Sequence, residues 1–180
     1  MTEGELPTGA GQEFVRVARK ELRHGTGRVR SCLDRLTTEQ IWHRDNAIEN
    51  SVGNLVLHLA GNVRQWIVSG VGGDEDRRDR DWEFSTRDPL PAPELVAHLE
   101  SAVGTADSVL AALDTRLLVE RRRIQVYEVT LLHAITHVLT HFAGHVGQII
   151  WATKHVTGAD LGFYSYLSKE GAEDAPSRSP

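Results

Sequence analysis

The chain has 180 residues, 40% of them hydrophobic and 25% charged, with a net charge of -5 and an isoelectric point near 6.0. That balance describes one globular domain, and its acidic excess argues against nucleic acid or an anionic membrane as the main partner, since both need a concentrated basic face. The opening MTEGELPTGAGQEF lacks a basic segment with an apolar run behind it, and no apolar stretch is long enough to span a bilayer, so a soluble cytoplasmic protein is expected.

Residues 1–10 carry Pro7 and two glycines among polar residues and are expected to fray. From Gly11 to Leu36 the apolar positions follow helical spacing through a weak middle at Gly25 and Gly27, where a kink is expected. Cys32, the single cysteine, has no partner for an intrachain disulfide and reads as a small packed side chain. Thr37 followed by Gln40 has the capping-box pattern for a short helix that packs Ile41 and Trp42 inward, with His43 at the surface. A second long helix, SVGNLVLHLAGNVRQWIVSG, is capped by Asn50 or Ser51 and stopped by Gly70, Gly72 and Gly73. On it His58 lies in a polar lane with Asn54, Asn62, Gln65 and Ser69, bordering the apolar arc of Val52, Leu55, Val56, Leu59, Val63, Trp66 and Ile67. That lane either faces a cleft or satisfies itself at a helix interface.

The segment GGDEDRRDRDWEFSTRDPLPAP reads as a loop of mixed charge, either solvated or acting as a lid through Trp82 and Phe84. A third helix is expected from Pro93 to Leu113, with His98 in a structural role. Arg121, Arg122 and Arg123 follow as solvated charge or as a carboxylate-binding cluster. The stretch Tyr127–Thr157 has no proline, ends at Gly158 and predicts one long helix whose core arc runs from Leu131 to Ile150. After it, ADLGFYSYL is expected to cover an open end of the fold, and residues 168–180 to be a disordered tail. Four long helical segments, with no convincing strand pattern, predict an all-α four-helix bundle spanning residues 11–167.

The last helix carries five of the nine histidines, and His133, His137, His141 and His145 recur every fourth residue. Each such step turns about 40° around the axis, so the histidines form a slowly rotating lane along the core arc, with His141 and His145 innermost. A pair at i and i+4 suits two imidazoles converging on one metal ion at about 2.0–2.1 Å, but two ligands do not hold an ion tightly. A third has to come from elsewhere in the chain.

The segments ENSVGNLVLHLAGNVRQWIVSGVGG, RDRDWEF, RRRIQVYEVT and HVLTHFAGHVGQIIWATK, the last followed by TGADLGFYSYL, resemble the DinB-like superfamily over roughly residues 12 to 168. The most specific feature is a histidine within the second long helix, followed far downstream by the H-x-x-x-H-x-G-Q pattern of His141 to Gln148. The resemblance implies an up-down-down-up bundle, often a homodimer, in which His58, His141 and His145 hold one divalent metal ion. Zinc or nickel is the expected ion, with iron or manganese also compatible. His137 is an additional candidate that would replace or assist a ligand. Val146 stands where the common form has an arginine, which removes one contact to a substrate anion. The expected function is metal-dependent transfer of a low-molecular-weight thiol, such as mycothiol or bacillithiol, to a small electrophile. The alternatives are a metal-dependent hydrolase and a non-enzymatic metal-binding stress-response protein. In the transferase reading Asn54, Asn62 and Gln65 orient the thiol while Trp82 and Phe84 exclude water. No nucleic acid or membrane partner is expected.

Overall fold

The structure, a computed structural model, describes residues 8–167; the expectations for residues 1–7 and for the tail 168–180 lie outside the described residues. The chain is mainly helical. Helix α1 (Thr8–Leu33) begins before Gly11 and runs without interruption through Gly25 and Gly27. Gly25 has a packing reason: a β-carbon there would lie 2.7 Å from Phe142 Cε1, so the bare backbone lets the later phenylalanine ring rest against α1.

Helix α2 (Thr38–Trp42) has the expected capping box, with Gln40 N donating to Thr37 Oγ1 and Thr37 N to Gln40 Oε1. Its Trp42 donates to the Leu90 carbonyl at 3.0 Å. Ser51 caps α3 (Val52–Val63) by accepting from Asn54 N, and the helix continues into a π-helical segment, Arg64–Val71. The charged stretch that follows is not a plain loop. It contains a helix, α4 (Arg80–Ser85), started by Asp79, whose side chain accepts from Trp82 N. Helix α5 (Ala92–Ala112) matches the third expected helix.

The expectation of a fold without strands needs a correction. Arg121–Ile124 (β1) and Tyr127–Thr130 (β2) form an antiparallel hairpin, with Arg121 opposite Thr130 and Ile124 opposite Tyr127. The three arginines are therefore strand residues. Arg122 donates to the Val71 carbonyl at 2.8 Å and Arg121 to that of Glu128, while Ile124 is buried over Gly70. The long histidine helix begins only at Leu131: α6 (Leu131–Thr157) is capped by Thr130, whose hydroxyl accepts from His133 N at 3.1 Å. Tyr127, Val129 and Thr130 are aromatic or β-branched and favour the pleated surface, and Thr130 competes for the helix as a cap. At the other end Gly158 adopts the left-handed conformation, φ 64°, that closes α6.

The core lies between the four long helices: α1 packs on α5 and α6, and α3 packs on the same two. Leu22, Leu33, Leu59, Leu95, Leu99, Leu110, Ile135 and Ile149 are fully enclosed there, each contributing about 1.5–3 kcal/mol by leaving water. Arg19 grips Asp107 through two hydrogen bonds of 2.9 and 2.8 Å, tying α1 to α5. After α6, Leu161 is buried and Phe163 half-buried against this core, and Arg28 lies over the Phe163 and Tyr164 rings. Among the described residues no helix is long and apolar enough to cross a membrane.

Candidate metal centre

On α6 the buried residues Val138, Phe142, Val146 and Ile149 fix which way the helix faces, and His141 and His145 stand half-buried beside them. Across from them α3 presents His58, only 5% exposed. His58 Nε2 lies 3.0 Å from His141 Nε2, and His145 Nε2 lies 3.2 Å from the same atom. One ring nitrogen from each falls within 4.8 Å of the others, close enough for the three side chains to hold a metal ion.

The other ring nitrogens explain this convergence. His58 Nδ1 lies 3.0 Å from Glu83 Oε2, and His145 Nδ1 lies 2.6 Å from Gln148 Oε1. A carboxylate and an amide oxygen only accept, so both imidazoles carry a proton on Nδ1, and the neutral form of each ring presents a bare Nε2. Arg78 Nη2 also lies 2.9 Å from His58 Nδ1, but a guanidinium only donates, and its acceptors are supplied elsewhere. It donates to Glu83 Oε1 from Nε at 2.7 Å, to Glu83 Oε2 from Nη2 at 2.7 Å, and to Gln65 Oε1 from Nη1 at 2.9 Å.

Electrostatics keep the two α6 histidines of the cluster neutral. Burial, helped by the neighbouring histidines and Arg78, lowers the His141 pKa to about 3, and burial also depresses that of His145. Burial works to raise the Glu83 carboxyl, but the hydrogen bonds from Arg78 and His58 outweigh it and hold the group below the ordinary carboxylate value. Glu83 is thus an anion, and its side chain and that of Arg78 are each 4% exposed.

This donor set fits a divalent cation. A proton on His141 Nε2 would serve only one of the two bare nitrogens that face it, whereas one cation accepts all three lone pairs. Ligand nitrogens about 2.0–2.1 Å from a common ion stand about 3.0 Å apart in octahedral and about 3.3 Å apart in tetrahedral geometry. The two separations to His141 Nε2, 3.0 and 3.2 Å, fall in that range, and the His58 and His145 nitrogens lie within 4.8 Å of each other.

The remaining histidines are elsewhere. His133 is exposed, and His155 stacks on Trp151 at the surface with ring centroids 5.1 Å apart. His137 lies against Trp66 at 4.2 Å and takes no part in the three-nitrogen cluster. The expected polar lane is used mostly for architecture. Asn54 donates to the Glu83 carbonyl at 2.9 Å, and Gln65 serves Arg78 and Asp76, so both hold the 74–86 segment in place. Phe84 does cover His58, at 4.6 Å between ring centroids. Trp82 instead lines a cavity of about 550 Å³ with Leu57, Arg64, Arg78, Glu83 and His98, a space that none of the three clustered histidines lines.

Sequence reasoning missed Arg78 and Glu83, because charges in a run of alternating sign look solvated. The available signal was the pair of aromatic residues flanking Glu83, which mark a packed turn of helix. It also missed Gly61, one turn beyond His58. A β-carbon at Gly61 would overlap Glu83 Oε1, come within 2.7 Å of Glu83 Cδ and stand 3.1 Å from Arg78 Nε, so only glycine admits the ion pair.

A family model described as a protein of unknown function (DUF1572) matches residues 9–168. No curated protein matches the chain.

Proposed function

The chain belongs to the DUF1572 family, and from that premise and its own site we propose that it is a divalent-metal protein of the DinB-like type, with His58, His141 and His145 as ligands. The carrying observation is the convergence of three imidazole nitrogens, two of them with tautomers fixed by Glu83 and Gln148. The pairing of α1 and α3 with both α5 and α6 supports a four-helix bundle of up-down-down-up topology, and we extend the proposal to a homodimer. Zinc or nickel suits three imidazoles best, with iron or manganese compatible.

A divalent ion held by three neutral imidazoles keeps coordination positions open and, when bound, lowers the pKa of a thiol or water placed there. The chain supplies the rest. Glu83 holds the proton on His58 Nδ1, and Arg78 fixes Glu83 by two hydrogen bonds. Phe84 shields the His58 ring from water, and the half-exposed His141 and His145 leave an approach for a small molecule. A purely structural site usually closes with four protein ligands, often cysteine; here Cys32 is buried, and burial pushes its thiol up, away from the reactive thiolate.

The reaction we propose is transfer of a low-molecular-weight thiol to a small electrophile in the cytoplasm. The thiol sulfur bonds to the electrophilic carbon, the leaving group departs with its electron pair, and the thiol proton passes to solvent. The test offers the metal-loaded protein mycothiol, bacillithiol or glutathione with a panel of electrophiles, and separately a panel of esters without thiol. Metal-dependent thioether formation is the expected result. Ester hydrolysis indifferent to thiol would replace the reading with a hydrolase, and inactivity on both panels at full metal occupancy would favour a non-enzymatic protein.

A further inference from the structure

His141 differs from its two neighbours in one respect. His58 Nδ1 has Glu83 and His145 Nδ1 has Gln148, whereas His141 Nδ1 is buried without a hydrogen-bond partner. If its Nε2 lone pair joins the other two, Nδ1 must carry the ring proton, which leaves a buried donor with nothing to receive it. A buried donor left without an acceptor is unfavourable, because its hydration is lost with nothing in return.

One buried acceptor is in the same condition. Asn62 is 4% exposed, and its Oδ1 has no hydrogen-bond partner. Ring contacts give its level along the interface between α3 and α6. His58 stands against His145 and His141, with centroids 5.1 and 4.9 Å apart, and Trp66 stands against His137 at 4.2 Å. As the numbers rise along α3, their partners on α6 fall, so Asn62, one turn past His58 and one before Trp66, is level with the turn between His137 and His141. Side chains on a helix lean toward its N-terminus, which carries the His141 ring toward that level.

We infer that Asn62 is the positioning residue for His141: its carboxamide oxygen receives the His141 Nδ1 proton through one bridging water. This inference rests on the metal reading above and completes it, because each ligand then has its own acceptor: a carboxylate for His58, an amide for His145 and a second amide for His141. The acceptors differ in strength. Only His58 faces a charge, so it is the strongest donor to the ion, and the two α6 histidines are tuned by neutral amides.

The test uses zinc alone as the probe, on the full-length protein. Zinc affinity is measured by competition with a chromophoric chelator for the unmodified chain, for Asn62→Leu, which keeps volume but removes the acceptor, and for Asn62→Asp, which restores one. In parallel, nitrogen-15 NMR of the unmodified zinc form reports whether His141 carries a slowly exchanging proton on Nδ1. The expected results are a zinc affinity about 10–100-fold weaker in Asn62→Leu, recovery in Asn62→Asp, and a protected Nδ1 proton that shifts or is lost in Asn62→Leu. Zinc bound equally well by Asn62→Leu and the unmodified chain would overturn the role of Asn62 and leave the metal site standing. An unmodified chain that binds no zinc would overturn both. Should Asn62→Leu fail to fold, the NMR arm decides: a His141 ring protonated on Nε2, or an unprotected Nδ1 proton in the zinc form, contradicts the inference.

Discussion

Two regions of the chain meet at His58 from opposite sides, and they are built in opposite ways. Helix α6 brings His141 and His145 by regular geometry, and its direction is fixed by buried Val138, Phe142, Val146 and Ile149. The segment 74–86 is mostly irregular and holds its position through polar groups: Arg78 to Glu83, Gln65 to Arg78 and Asp76, and Asn54 to the Glu83 carbonyl. Apolar periodicity places imidazoles cheaply in sequence terms, one residue per turn. Orienting an imidazole takes a specific acceptor, and for His58 that acceptor comes from a short stretch whose own fold depends on the helix it serves.

If the two regions differ in this way, damage to the polar one should be abrupt. Arg78→Met leaves the Glu83 carboxylate buried with only His58 for company, and is expected to cost about 3–5 kcal/mol in urea unfolding. The double variant Arg78→Met with Glu83→Leu should recover much of that loss. A loss below about 1 kcal/mol for Arg78→Met would mean that the pair behaves like an exposed one.

Gly61→Ala probes the seam between the two regions. The added methyl meets the Glu83 carboxyl and should cost about 1–3 kcal/mol by overpacking, together with weakened metal binding as Glu83 is pushed from His58. Unchanged stability and affinity would show that the 74–86 segment can retreat without consequence.

Acidification separates the regions by pH window. In metal-free protein His141, with its pKa lowered to about 3 from 6.5, and His145 and His137, depressed in the same direction, take up protons more readily when unfolded. Stability should therefore fall as pH drops below about 6.5 and continue to fall toward about 3. Glu83 adds a second loss at lower pH: its folded value lies below 4.5, so its contribution is complete above that pH and disappears as pH falls through the folded value. Urea midpoints from pH 7.5 to 4 check this, and a flat profile between pH 7 and 5.5 would contradict neutral, enclosed imidazoles.

The smallest effects belong to the outer part of the α6 lane. His137→Ala removes the ring resting on Trp66 and should weaken metal binding without abolishing it. His133→Ala and His155→Ala alter exposed side chains and should leave metal content unchanged and stability within about 0.5 kcal/mol.

What the sequence revealed follows the same division. Helix faces, the Thr37–Gln40 capping box, the Ser51 cap and the Gly158 stop are local or periodic signals, and the two inner histidines of α6 came from the wheel alone. The hairpin was hidden because its turn, Gln125–Val126, uses a non-glycine residue at φ 56°, with none of the glycine or asparagine that ordinarily marks such turns. Arg78 and Glu83 were hidden because charge burial depends on partners contributed by α3, and no local pattern reports that. Asn62 and Gln65 were visible as polar residues beside His58, but their partners were not: the Asn62 side-chain oxygen has no protein partner, and Gln65 faces away toward the 74–79 segment.

The central claim is that His58, His141 and His145 together hold one divalent ion. Elemental analysis of the purified protein, with His58→Ala beside it and His133→Ala as the control, tests this most directly. The account predicts about one equivalent of a divalent metal in the unmodified chain and in His133→Ala, and none retained by His58→Ala after gel filtration. Full metal retention by His58→Ala would contradict it.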